Sequence, residues 1–366
     1  MSSVNERLSN EMPLGLPGSL SSLVAQRFAA AKQAGALVFS HTEVTTISTS
    51  KIPFQLRYCP ALAKKPSQAP PEPGPEKNKP KIDPFANPSS DLLVAEIPQS
   101  NPTHYLVLNK FPVIPNHFIL ATKLYKPQGD LLEKDDLAAT YACLREWESS
   151  NSERPSGRLF AFFNSGEHSG ASQPHRHLQF LPVEDMTQPD DTRNWTPLID
   201  GSHHGVSDAQ PNGNARPLLD LPFACYAVDL PRDPGADDLH HLYLSLYKLA
   251  VIVANGQNPD SNSSNLNKNT PQTGGPSAIS YNLAMTTSKM MICPRRSEHA
   301  LIRLDEKSRE GLLEEGVVKL NGTILAGTLM VKAESEWKAL QDQPTMLESV
   351  LQTVGFPWPA GSNSRM

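Results

Sequence analysis

Residues 158–183 read RLFAFFNSGEHSGASQPHRHLQFLPV, and this stretch decides the fold. Two strand-like runs flank a loop of small residues. The first, Leu159 to Phe163, is rich in aromatics. The second starts after Pro174 and runs His175, Arg176, His177, Leu178, Gln179, Phe180, Leu181. Side chains alternate faces along a strand, so His175, His177 and Gln179 are expected on one face, and Arg176, Leu178 and Phe180 on the other. The loop from Asn164 to Gln173 carries two glycines among small polar residues. Such a loop brings backbone N–H groups close to a phosphate.

A neutral imidazole is a good nucleophile toward phosphorus at neutral pH. A carboxamide beside it hydrogen-bonds a phosphoryl oxygen without adding negative charge, where an aspartate would repel the substrate. An isolated His-x-His also fits a surface strand or half of a metal site. The glycine/serine loop, Pro174 and Gln179 shift the balance toward phosphate chemistry.

Ser-Gly-Ala-Ser-Gln-Pro-His-Arg-His-Leu-Gln, residues 169–179, resembles the signature of the diadenosine tetraphosphate phosphorylases, also called ATP adenylyltransferases. That family belongs to the histidine-triad superfamily, on the branch with galactose-1-phosphate uridylyltransferase. The resemblance extends from about Leu37 to Trp358. It implies that His177 is the nucleophile, with His175 supporting it, and that Gln179 contacts the attacked phosphate. It further implies that Gly170, Ala171, Ser172 and Gln173 line the phosphate site and that Asn164 is a substrate contact. The same resemblance gives Lys51, Asn109, Lys110, Ser280, Tyr281, Asn282, Met285 and Lys289 as substrate-binding. Taken as residues alone, Lys51 is equally an ordinary surface lysine, and Asn109-Lys110 a polar strand end.

The rest of the chain sets bounds. Its 366 residues suffice for one large domain or two, and a net charge of −5 provides no basic field for nucleic acid. No apolar run approaches the roughly 18 residues of a membrane span. The N-terminus has no charged-then-apolar signal pattern. Cys59, Cys143, Cys225 and Cys293 are far apart with no CxxC pair, which argues against a thiolate zinc site and fits a reducing compartment. The expected location is the cytoplasm, with the nucleus left open.

Residues 20–35 carry Leu20, Leu23, Val24, Phe28 and Ala31 at helical spacing, and Gly35 stops the helix. Leu37 to Phe39 is expected to open a strand region ending near residues 51–58. Residues 60–90 are crowded with Pro, Lys, Glu and Ser, a composition with little to bury, and order is expected to return at Asp83-Pro84-Phe85. Strands are expected at 92–97, 104–110 and 118–122, with a turn near Pro115-Asn116. Residues 133–149 and 238–254 read as amphipathic helices. Residues 218–230 read as a strand, and 255–277 as a polar, mobile loop. A hairpin is expected around Thr287-Ser288-Lys289. Residues 308–329 read as a glycine-weakened helix that breaks or packs closely near Asn321-Gly322, and 345–354 as a closing helix. His203-His204 has no neighbouring ligand cluster in the sequence, so no protein-bound metal site is expected.

The expected architecture is therefore α+β: an antiparallel sheet with helices on one side, in two related histidine-triad-like halves forming one active site. The half with His-x-His-x-Gln covers about 18–184 and the second about 215–358. The resemblance implies cleavage of diadenosine tetraphosphate by inorganic phosphate to ATP and ADP, through an adenylyl-histidine. A divalent cation such as Mg2+ can accompany the polyphosphate. The partners are small nucleotides and phosphate, without nucleic acid or membrane, and a monomer is favoured. The alternatives are a nucleotide-sugar phosphorylase or uridylyltransferase, and a nucleotide-binding module without turnover.

Overall fold

The computed structural model describes residues 14–49, 52–61, 83–149, 157–187, 195–201, 215–257, 273–307 and 313–359. Helix α1 (Leu20–Gln33) starts at Ser19, whose hydroxyl accepts from the Ser22 N–H. The strand expected at 37–39 does not form. Val38 and Ser40 donate to the carbonyls of Lys110 and Pro112, and ladder pairing begins only with β1 (Glu43–Thr49) and β2 (Ile52–Tyr58). β3 (Leu93–Ile97), β4 (His104–Leu108) and β5 (Phe118–Thr122) form the expected antiparallel meander. Asn116, at φ 54°, makes the turn before β5, a conformation asparagine tolerates well.

Helix α2 (Lys134–Ser149) carries Asp135 and Asp136 in its first turn, favourable at the positive end of the helix dipole, and buries Leu137, Tyr141, Leu144 and Trp147. β6 (Leu159–Ser165) extends one residue beyond Asn164, which therefore lies within the strand. β7 (His177–Pro182) follows, then α3 (Val183–Met186) and the short β8 (Arg216–Pro217). The strand expected over 218–230 is confined to β9 (Tyr226–Asp229). Pro222 has no N–H to give a ladder, and the chain turns at Leu218–Leu221 instead. Helix α4 (Ala236–Ala254) leads to the hairpin β10 (Ser280–Met285) and β11 (Lys289–Arg295).

The reading of 308–329 as a helix is corrected. β12 (His299–Lys307) pairs with β13 (Leu313–Lys319), and a short 3-10 turn at Gly322–Ala326 leads into β14 (Thr328–Val331). The glycines mark close approaches and a turn. A Cβ on Gly322 would stand 2.7 Å from the Phe162 ring, and Gly327 takes φ +70° to reverse the chain. Helices α5 (Glu334–Asp342) and α6 (Thr345–Val354) close the chain; α5 was not expected from the sequence.

Nine strands form one sheet in the order β3-β4-β5-β7-β6-β10-β11-β9-β8. Its centre is the antiparallel seam of β6 and β10, where Asn164 lies opposite Asn282. On either side of the seam one arrangement recurs: β5, α2, β6, β7 and then β9, α4, β10, β11. One face of the sheet buries its apolar side chains under α1, α2 and α4. The other is covered by the three-stranded sheet β1-β2-β14, by β12–β13, and by α5 and α6. Residues 62–82, 202–214 and 258–272, with His203 and His204, lie outside the described residues. The described ends of the two expected flexible segments are built into the fold. Gly275 accepts from the Leu131 N–H and Ser277 donates to Gly129, while Phe85 is buried. No helix among the described residues is long and apolar enough to cross a membrane.

Arg176 points away from His175 and His177, into the helical side. Its Nη1 donates to Asp136 at 2.8 Å and to Glu133 at 2.9 Å. Asp136, fully buried, also accepts from His104 Nε2 at 3.1 Å and from the Glu133 N–H at 2.8 Å. Burial works to raise the Asp136 carboxyl, but these partners hold it below the usual carboxylate range. Removing one member of a buried ion pair leaves the other uncompensated. Asp136→Ala should therefore cost about 3–5 kcal/mol in urea unfolding. A loss below ~1 kcal/mol, the scale of exposed pairs, would show that Arg176 does not depend on this carboxylate.

Candidate active site

The β6–β7 ladder stops with Phe162 opposite Gln179, so Asn164 and His177, two residues further along each strand, are not paired to each other. The Gln128 side chain stands between them. Its Nε2 donates to the carbonyls of Asn164 (2.7 Å) and His177 (3.2 Å), and its Oε1 accepts from the His177 N–H (2.7 Å). A side-chain amide thus replaces a strand's peptide group, and the loop 166–173 spans the gap. Gly170 in that loop has φ +79°, and a Cβ there would be 2.8 Å from the Leu320 carbonyl.

His175 lies just before β7 rather than within it, with its ring buried. Its Nδ1 is 2.7 Å from Asp83 Oδ2, and its Nε2 is 3.0 Å from the Thr122 hydroxyl. A carboxylate only accepts, so Nδ1 carries the proton. The His177 Nδ1 donates to the His175 carbonyl at 2.8 Å, as expected for a supporting role of residue 175. That bond leaves Nε2 as the lone-pair nitrogen. Burial lowers the His177 ring to about 4, against the opposing pull of the His175 carbonyl bond. The ring is therefore neutral at physiological pH.

Gln179 is oriented by a second chain of side chains. Asn109 Nδ2 donates to His117 Nδ1 (3.1 Å), and His117 Nε2 donates to Gln179 Oε1 (3.1 Å). With its oxygen engaged, Gln179 has its NH2 group available as a donor. Two cavities share the wall formed by Asn109, Phe111, Ser172 and Gln179. One, of about 360 Å³, is also lined by His117, Gly170, Lys319, Asn321 and Lys332. The other, of about 700 Å³, is lined by Phe85, Lys110, Ile119, Gln173 and His177.

The structure thus brings His177, Gln179, Asn109, Lys110, Gly170, Ser172 and Gln173 together around the cavities, with Ala171 in the same loop. Lys51 lies outside the described residues. The candidates on β10 and β11 fall elsewhere. Tyr281 and Met285 point into the helical core, where the Tyr281 hydroxyl is 2.6 Å from that of Tyr243, so they line neither cavity. Ser280 accepts from the His168 N–H, and Lys289 stands at the start of β11, away from both cavities. Asn282 acts on the loop from behind: its Nδ2 donates to Asn164 Oδ1 and to the Ser169 carbonyl, each at 2.9 Å, while Arg295 donates to its Oδ1. Asn164 is buried in the same network and accepts from the Gly322 N–H.

Asp83, Phe85, His117, Thr122, Gln128, Lys319 and Lys332 were not singled out in the sequence. Only Asp83-Pro84-Phe85 gave a signal there, as the point where order returns. The others reach the site through pairings far along the chain.

Two family models match the chain. The Ap4A phosphorylase N-terminal domain, Ap4A being diadenosine tetraphosphate, matches residues 10–198. The ATP adenylyltransferase C-terminal domain matches residues 219–357. The diadenosine 5',5'''-P1,P4-tetraphosphate phosphorylase 2 of Saccharomyces cerevisiae is 29% identical over 351 residues, covering 94% of this chain and 96% of the relative. Protein APA1 of the same yeast is 27% identical over 362 residues, covering 95% and 98%. The crystal structure of yeast Ap4A phosphorylase Apa2 in complex with Ap4A matches with a TM-score of 0.68 and 25% identity, over 94% of this chain and all of that one. With one family model over its first half and the companion model over its second, the chain belongs to the Ap4A phosphorylase (ATP adenylyltransferase) family.

Proposed function

We infer that this chain cleaves diadenosine tetraphosphate with inorganic phosphate, yielding ATP and ADP, and that His177 carries the adenylyl group between the two steps. One observation carries the mechanism: a buried, neutral imidazole held by its Nδ1 opens onto a cavity beside a carboxamide donor. Nε2 attacks the α-phosphorus of one adenylyl group, and ATP leaves. Phosphate then attacks the same phosphorus, the P–N bond breaks, and ADP leaves. Splitting the transfer in two avoids one harder direct displacement. The paired cavities fit a substrate with two nucleoside ends, and one chain supplies both, so a monomer suffices.

Charge builds on the phosphoryl oxygens in the transition state, and preformed donors there lower the barrier. The Gln179 NH2, the amides of the Gly170–Gln173 loop and the Lys110 ammonium are the donors we assign. Lys319 and Lys332 are the cations on the other side of the shared wall, in reach of a leaving polyphosphate. A divalent cation such as Mg2+ would arrive on the polyphosphate. Among the described residues lining the cavities, Glu336 is the carboxylate, and it already accepts from the N–H groups of Val317, Lys332 and Ala333. All four cysteines are buried free thiols, in keeping with a reducing compartment such as the cytoplasm.

His177→Gly should abolish turnover and the covalent adenylyl-enzyme while nucleotide binding persists. His175→Ala should slow turnover yet still trap label from α-phosphate-labelled Ap4A, because it keeps the carbonyl that orients the nucleophile. Label on the His177→Gly protein, or on no variant and not on wild type, would sink the double displacement. Gln179→Ala should slow both steps by about 2–4 kcal/mol, the usual loss for one transition-state donor.

The pH dependence follows from the lowered ring. Attack needs the neutral imidazole, so the rate falls as pH drops through the pKa of His177. kcat/KM reports the free enzyme. The second-order constant for adenylylation, read in a single turnover without phosphate, should show an acid limb well below 6.5, toward about 4. A midpoint near 6.5 would mean that the ring is open to water.

A further inference from the structure

The segment Asp83–Ser89 crosses the nucleophile. The Phe85 ring lies 5.1 Å from the His177 ring, tilted at 37°, and meets the His175 ring edge-on at 5.8 Å. Phe85 is 5% exposed and sits in an apolar cluster of its own with Val107, Ile119 and Ala121, on the cavity side of the sheet. Asp83 pins the segment at its start. Its Oδ1 accepts from the Phe85 N–H at 2.9 Å, and its Oδ2 accepts from His175 Nδ1. Burial works to raise the Asp83 carboxyl, but these bonds hold it below the usual range, so it stays charged at neutral pH.

An adenylyl-histidine has two possible acceptors. If phosphate attacks, the P–Nε2 bond breaks, an oxygen of phosphate bonds to phosphorus, and ADP forms. If water attacks, the same bond breaks, the water oxygen bonds to phosphorus with loss of a proton to solvent, and AMP forms. Water vastly outnumbers phosphate, so a phosphorylase must keep it from the intermediate. We propose that Phe85, clamped by Asp83, is the cover that keeps water from adenylyl-His177 and so sets the choice of phosphate over water. This rests on the adenylyl-histidine reading above. Phe85 would act by closing the space over the imidazole with a ring that offers water no hydrogen bond. Asp83 acts as a positioning residue, through His175 and the Phe85 backbone.

The test is the AMP:ADP ratio from Ap4A at fixed phosphate, in wild type, Phe85→Ala, Phe85→Leu and Asp83→Asn. A ratio within one reaction is insensitive to how much protein is folded. Phe85→Ala should raise it by roughly tenfold, the effect of about 1.4 kcal/mol on one of two competing barriers. Phe85→Leu keeps an apolar cover and should stay near wild type. Asp83→Asn, at a half-exposed site, should fall between. An unchanged ratio in Phe85→Ala, even with a higher KM, would overturn the proposal and make the ring a binding surface only. So would a Phe85→Leu protein that leaks as much as Phe85→Ala. If Phe85→Ala gives no active protein, an unchanged ratio in Asp83→Asn overturns the proposal. Trapping label on wild-type His177 separates the two claims: no label defeats the covalent reading, whereas label with an unchanged ratio defeats only the cover.

Discussion

The hydrogen bond from His177 Nδ1 to the His175 carbonyl fixes which ring nitrogen is basic, and the proposed chemistry depends on it. A buried imidazole left to itself would share its proton between two tautomers and could rotate. Here one nitrogen is spent on the backbone and the other faces the cavity. The carbonyl can do this only if residue 175 is itself immobile. Asp83 and Thr122 hold its ring on either side, and the N–H and C=O of Arg176 bond to Lys126, just after β5, and to Thr122, at its end. His177 is thus oriented by groups that line neither cavity.

The two faces of β7 divide the labour. His177 and Gln179 look into the cavities, while Arg176, Leu178 and Phe180 belong to the helical side. Phe180 stacks on Phe118 with ring centroids 4.7 Å apart, and Arg176 carries the ion-pair network to Asp136. A buried ion pair such as the one under β7 contributes little net stability after desolvation, but it is costly to half-remove, which ties the strand's position to α2. Gln128 does the corresponding work within the sheet plane, satisfying backbone groups that the diverging strands leave behind.

Local pattern made much of this legible. The meander, α2, α4 and the β6–β7 hairpin all carry a clear period of two or of 3.6. The alternation along 175–181 places Arg176 opposite the histidines, which is where its bond to Asp136 holds it. Failures came where one pattern had two readings. Residues 313–331 hold Val317, Val318, Ile324 and Leu325 among glycines; the close packing expected at Asn321-Gly322 is present, with Gly322 against Phe162, but the segments around it are strands and a 3-10 turn rather than a helix. Tyr281 and Met285 were attributed to the site by similarity of segment, yet the strand's alternation turns them to the far face and leaves Asn282 on the near one. The site roles of Asp83, Gln128 and His117 were not legible for a simpler reason. Each is an ordinary polar residue in a turn or loop, and its meaning comes from a partner far along the chain, such as His175 for Asp83 and His177 for Gln128.

The seam of β6 and β10 joins two like-ordered sets of strands within one chain. The two matched family domains lie on opposite sides of it, and Asn164 faces Asn282 across it. Neither portion owns a finished sheet. Separated, each would bare a central strand with an open row of N–H and C=O groups between apolar faces, the kind of edge that recruits other chains into aggregates. Covalent fusion removes that hazard and holds the partner's local concentration constant. It also frees the two portions from having to match: one carries His177, while the other, through Arg295 and Asn282, braces its neighbour's loop. Such asymmetry is open to a fused pair and closed to a symmetric one, in which every change appears twice.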